Sequence, residues 1–168
     1  KQCGTCYGKG HKDVKERIKV KIPKGVDKSS KIRVPGKGDA GRNGGPQGDL
    51  YIITNVQPHS VYDRQGDNLY VELPVSMFEA ALGGQITAPT PYGQISINIP
   101  AGTQPMQKFR VKGKGMPRLK GGANGDLYVV AKITVPSVAV EDHRETLKDI
   151  SKHYASNERD DVLNKGKL

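Results

Sequence analysis

Two cysteines stand first among the residues that could do chemistry, in Cys3-Gly-Thr-Cys6-Tyr-Gly8-Lys-Gly10. Thiolates at this C-x-x-C spacing can grip one Zn²⁺ or form a redox pair, and the glycines let backbone wrap closely. Structural zinc takes four ligands, and two cysteines are half a set. In this chain the metal-free thiol pair is the preferred expectation. His11, His59, His143 and His153 show no metal-ligating spacing with their neighbours. Gly36-Lys-Gly38-Asp-Ala-Gly41 fits the dinucleotide pattern G-x-G-x-x-G, but that fingerprint needs a helix immediately afterwards. Arg-Asn-Gly-Gly-Pro follows here and cannot start one, so these glycines are expected to form turns. No serine or cysteine stands in a nucleophile motif. Asp49 and Asp126 recur in Gly-Asp-Leu-Tyr, where a turn or cap role is expected. The chain is therefore not expected to be an enzyme.

The elements that position these residues follow from an internal repeat. Shifted by 77 positions the sequence matches itself without a gap, and sixteen of the 34 residues from 18 to 51 are identical. Ile18-Lys-Val-Lys-Ile-Pro-Lys-Gly25 lies over Ile95-Ser-Ile-Asn-Ile-Pro-Ala-Gly102, and Lys31-Ile-Arg-Val34 over Lys108-Phe-Arg-Val111. Gly36-Lys-Gly38 lies over Gly113-Lys-Gly115, and Gly48-Asp-Leu-Tyr51 over Gly125-Asp-Leu-Tyr128. Two copies indicate tandem domains and not a solenoid. Apolar–polar alternation predicts strands over residues 18–22 and 95–99, each ended by a proline. Further strands are predicted over 50–56, 69–73, 85–88 and 127–135. Residues 75–82 read as a short helix stopped by Gly83. Residues 141–154 read as a helix with one narrow apolar stripe, Leu147, Ile150 and Tyr154. Residues 156–168 are polar and aperiodic and read as a disordered tail.

Composition agrees with small β units. Only nine residues are aromatic, while Gly 21 and Pro 11 mark many turns. The fold class expected is mainly all-β, with two tandem small sandwich- or barrel-like domains, a short helix and a C-terminal helix. Net charge is +10. Either an anionic partner or a lysine coat that protects strand edges would account for it. The spread of lysines along the chain favours the coat. No apolar run approaches the roughly 20 residues a membrane helix needs, and no signal peptide is evident. Lys1-Gln2-Cys3 reads like the interior of a longer chain.

Several motifs together resemble the type I DnaJ co-chaperones. Cys3-Gly-Thr-Cys6-Tyr-Gly8-Lys-Gly10 resembles the last of that family's C-x-x-C-x-G-x-G zinc motifs. The strand at 18–22 with Pro23-Lys-Gly25, then Gly36-Lys-Gly38 and Gly48-Asp-Leu-Tyr51, is similar to the segment that follows it. Pro58-His59 through Leu69 resembles the family's link between its C-terminal domains. Ala80-Ala-Leu-Gly83-Gly84 with Pro89-Thr90 resembles a further signature. The matches are collinear from residue 3 to about 154. No His-Pro-Asp triplet of a J domain occurs.

The resemblance implies a remnant of the zinc region over 1–10 and a first client-binding domain over 11–60. It implies a second β domain over 61–137, a dimerisation helix over 138–154 and a tail over 155–168. It also implies two upstream strands in the family that complete the first domain, so an open edge is expected there. Unfolded clients passed to a DnaK-type heat-shock ATPase, zinc in the intact protein, a homodimer, and a cytosolic or organelle-matrix location follow from it. Ile18 and Ile52 match the family's apolar client groove. Two-residue alternation adds Val20 and Leu50 on the same faces; all four could equally be core. Cys3 and Cys6 would be half of a zinc site, and Leu147, Ile150 and Tyr154 the dimer contact. The alternative is a basic β protein binding single-stranded nucleic acid through Lys12, Lys15, Arg17, Lys19 and Lys21 with tyrosine stacking.

Overall fold

A computed structural model describes residue 4 and residues 15–41, 45–136 and 141–154. Cys3, Cys6, His11, Lys12 and the tail lie outside the described residues, and so do the expectations placed on them.

Among the described residues the chain forms eight strands and two helices: β1 (Lys31–Val34), β2 (Leu50–Ile53), β3 (Asp63–Gln65), β4 (Asn68–Ser76), α1 (Met77–Leu82), β5 (Gly84–Thr90), β6 (Gly93–Ile99), β7 (Lys108–Val111), β8 (Leu127–Thr134) and α2 (Glu141–His153). The protein is mainly β. The strands make two hairpins, β1-β2 and β5-β6, and a four-stranded sheet in the order β3-β4-β8-β7. Contacts group the chain into two units. The first draws on Lys1–Val71, Thr90–Gly93 and Arg110–Val129; the second on Glu72–Pro89, Gln94–Phe109 and Val130–Leu168.

Burial is uneven along the chain. Every fully buried hydrophobic side chain among the described residues lies between Leu69 and Ala131. Central strand β8 is buried at Leu127, Val129, Val130 and Ala131, and β4 at Leu69, Val71 and Val75. In the second unit Val75, Ala80, Ile99 and Ala131 form a cluster, with Ile86, Phe109 and Ile133 packed against it. α1 is set by its ends. The Ser76 side chain accepts the Glu79 N–H while the Glu79 carboxylate accepts the Ser76 N–H, a reciprocal capping box. Gly83 ends the helix as expected, at φ 73°. A Cβ there would come within 2.6 Å of the Ala101 nitrogen.

One expected strand is absent. Residues 18–22 have Ile18 and Val20 half-buried and Lys19 and Lys21 exposed, but they do not form a strand. The equivalent segment in the second copy is β6, which has β5 as its ladder partner. In the 77-residue register β5 falls on residues 7–13, a Gly- and Lys-rich stretch with no strand pattern. The alternation of burial persists at Ile18 and Val20 without a ladder, whereas a strand needs a hydrogen-bonded neighbour. Conversely, β1, β3 and β7 were too short and polar for alternation to reveal.

Candidate functional site

The first copy presents its chemistry on the β1–β2 hairpin. The antiparallel register pairs Lys31 with Ile53, Ile32 with Ile52, Arg33 with Tyr51 and Val34 with Leu50. Alternation then sorts the side chains. Ile32, Val34, Leu50 and Ile52 share one half-buried face. Lys31, Arg33, Tyr51 and Ile53 share the opposite face, where Tyr51 is 58% and Ile53 65% exposed. Leu50 and Ile52 are thus brought together as expected from their spacing. Ile18 and Val20 sit half-buried on the unladdered segment 18–22.

The hairpin is tied by a carboxylate lock that recurs in the second copy. Asp49 Oδ1 accepts the Gly36 N–H at 3.0 Å and Oδ2 accepts Arg33 Nε at 2.6 Å. Asp126 does the same with Gly113 at 2.9 Å and Arg110 at 2.7 Å. Each partner is displaced by the same 77 positions. The backbone N–H on each carboxylate, followed by the guanidinium, holds both aspartates below the ordinary range. Glycines close the loops: Gly38 N–H donates to Gly48 O and Gly115 N–H to Gly125 O, both at 2.8 Å. The G-x-G pattern is therefore turn chemistry, and Asp49 and Asp126 have the turn role expected of them.

A second duplicated joint lies before each hairpin. Ser29 and Met106 both adopt positive φ, 65° and 64°. Ser29 N–H donates to Thr54 O and Thr54 N–H to Ser30 O; Met106 N–H donates to Ala131 O and Ala131 N–H to Gln107 O. In the first copy Thr54 Oγ1 also donates to Asp27 O at 2.7 Å. Lys37 pairs with Glu16 at 2.5 Å, upstream of Ile18.

The copies part company at the edge of β2. Its counterpart β8 lies between β4 and β7, whereas among the described residues the β1-β2 sheet has two strands. Consequently Tyr128 stacks on Tyr70 of β4 with centroids 5.0 Å apart, and Val130 is 6% exposed. The same positions in the first copy are Tyr51 and Ile53, open to solvent. Reasoning from the sequence missed these two residues, although the repeat aligns them with Tyr128 and Val130.

On α2, Leu147 is half-buried, and Ile150 and Tyr154 are exposed. Leu147 and Ile150 line an open apolar pocket of about 440 Å³ with Met77, Phe78 and Val135. Among the described residues no cluster of three or more His, Cys, Asp or Glu could hold a metal. No helix among them is long and apolar enough to cross a membrane.

Two copies of a small β unit, each tied by an Arg–Asp–Gly lock and one with an exposed apolar strand face, define a β-rich tandem module. The model of the DnaJ C terminal domain family matches residues 7–136, and the chain belongs to that family. It is 42% identical over 162 residues to the chaperone protein DnaJ of Bacillus cytotoxicus, covering 96% of this chain and 43% of that protein. It is 42% identical over 167 residues to the chaperone protein DnaJ of Bacillus cereus strain AH820, covering 99% and 44%. The chain thus spans less than half the length of these curated relatives.

Proposed function

We propose that this chain is the client-binding portion of a DnaJ co-chaperone, holding unfolded polypeptide for transfer to a DnaK-type heat-shock ATPase. One observation carries the reading. The β2 edge and its apolar side chains Tyr51 and Ile53 are open at positions that β4 covers in the second copy. An unfolded client offers the unpaired backbone and apolar side chains that such an edge accepts as an added strand. Leu50 and Ile52 on the other face of β2, with Ile18 and Val20, supply the apolar groove. Backbone bonds do much of the holding, so selectivity is loose and affinity per site weak. No catalytic step is part of this function. The aspartates held at low pKa are occupied in turn locks, and Glu79 in a helix cap.

The same reading assigns residues 11–60 and 61–137 to two β domains. Leu147, Ile150 and Tyr154 serve a homodimer whose two arms raise effective concentration at a client. Cys3 and Cys6 give half a tetrahedral donor set, so they do not hold structural zinc by themselves. They join two further ligands in the intact protein. A cytosolic or organelle-matrix location suits these partners.

The test is binding of a fluorescein-labelled apolar peptide at two salt concentrations, with a single-stranded oligonucleotide as control. Peptide binding that survives salt and falls on Ile52→Asp, with the fold intact, supports the reading. Oligonucleotide binding alone, collapsing with salt, would assign function to the exposed Lys15, Arg17, Lys19 and Lys21 instead.

A further inference from the structure

Arg64, on β3 in the link between the copies, donates to three backbone carbonyls. Its Nη1 reaches Val26 O at 2.7 Å, Nη2 reaches Gly25 O at 3.0 Å, and Nε reaches Gly66 O at 2.8 Å. The first two bonds span 38 and 39 residues and are partly buried. Gly25 has φ 86°, and a Cβ on it would collide with the Pro117 carbonyl oxygen and come within 3.0 Å of the Leu119 nitrogen. The Gly25 turn of the first copy thus lies against the glycine loop of the second with no room for a side chain. Arg64 holds one side of that turn. Thr54, at the end of β2, holds the residues just after it through Asp27, Ser29 and Ser30.

The segment bearing Ile18 and Val20 runs into this turn without a ladder of its own. We propose that Arg64 is a positioning residue that fixes the Gly25–Val26 turn against the end of β2 and so orients the client-binding segment 18–22. The planar fork makes this possible: a guanidinium presents donors in fixed directions to several acceptors, and a lysine ammonium does not. The second copy needs no such brace, because its equivalent segment is β6, laddered to β5. This inference rests on the client-binding reading, and the experiment separates the two.

Amide exchange at Ser29 and Thr54 is compared with that at their counterparts Met106 and Ala131, alongside the affinity of the fluorescein-labelled apolar peptide. Arg64→Ala removes both bonds to the turn and is expected to speed exchange at Ser29 and Thr54 by roughly tenfold or more, since losing even one hydrogen bond to a charged group is worth about tenfold. Met106 and Ala131 should be unchanged. Peptide affinity should fall by about the same factor, and Arg64→Lys should restore neither quantity. Gly25→Ala should match Arg64→Ala. The double variant should be no worse than either single one, because both break the same joint. As a control, Ser76→Ala lowers stability without touching the turn and should leave peptide affinity unchanged. Equal acceleration in both copies, full recovery by lysine, or additive losses in the double variant would overturn the brace. Peptide binding by wild type and Arg64→Ala alike would overturn the positioning role and leave the client-binding reading standing. Failure of wild type to bind peptide would overturn that reading, while the exchange pattern still decides the brace.

Discussion

Leu50 and Leu127 are the same residue at the same place in the two copies, each opening its strand, so truncating each to alanine compares their surroundings directly. Leu127 is 0% exposed. Leu127→Ala loses about 0.8 kcal/mol for each buried methylene equivalent and leaves a cavity in the central strand, so a cost of about 3–5 kcal/mol is expected. Leu50 is half-buried. Solvent already meets part of its side chain and no closed cavity forms, so Leu50→Ala should cost about 1 kcal/mol. The difference of about 2 kcal/mol or more corresponds to roughly a thirtyfold change in the local unfolding equilibrium. Urea-dependent amide exchange can read this copy by copy, with Thr54 reporting on the first and Ala131 on the second. Thr54 should also exchange faster than Ala131 in the unmodified chain, because no fully buried hydrophobic side chain among the described residues lies in the first copy. Equal costs for the two leucines, or equal protection of the two amides, would refute the argument that the copies differ in what covers them.

Acid should weaken both turn locks. Asp126 has its folded pKa depressed, first by the Gly113 N–H and then by Arg110, so its contribution is present above the ordinary aspartate value of 3.8 and is lost as pH falls through the folded value. Asp49 behaves alike. Melting temperatures measured against pH should therefore fall less steeply below pH 3.8 in an Asp126→Asn variant than in wild type; an identical acid limb would remove the lock from the account. Ser76→Ala should cost about 1 kcal/mol in urea unfolding by removing the cap of α1, and Ser76→Gly only a few tenths. Leu147→Asp should shift a sedimenting dimer to monomer; a dimer that persists would place the contact elsewhere.

The repeat itself was legible in the sequence because its determinants are local. Gly36, Gly38, Asp49 and Arg33 build a turn among near neighbours, and their copies at Gly113, Gly115, Asp126 and Arg110 build it again with bond lengths matching within 0.1 Å. Strand alternation, the Gly83 stop and the apolar stripe of α2 were readable for the same reason: each depends on one residue's preference and its position along the chain. Tertiary structure decided which strands exist and which faces are covered. Ile18-Lys-Val-Lys-Ile22 and Ile95-Ser-Ile-Asn-Ile99 carry the same alternation, yet only the second is a strand, because a ladder requires a neighbour that the pattern itself does not contain. Tyr51 and Tyr128 both follow Gly-Asp-Leu, yet one is open and the other stacked on Tyr70, because β4 lies beside β8. The bracing role of Arg64 left no signal in the sequence: two of its three acceptors are 38 and 39 residues away, and hydrogen bonds between distant segments leave no period in the sequence.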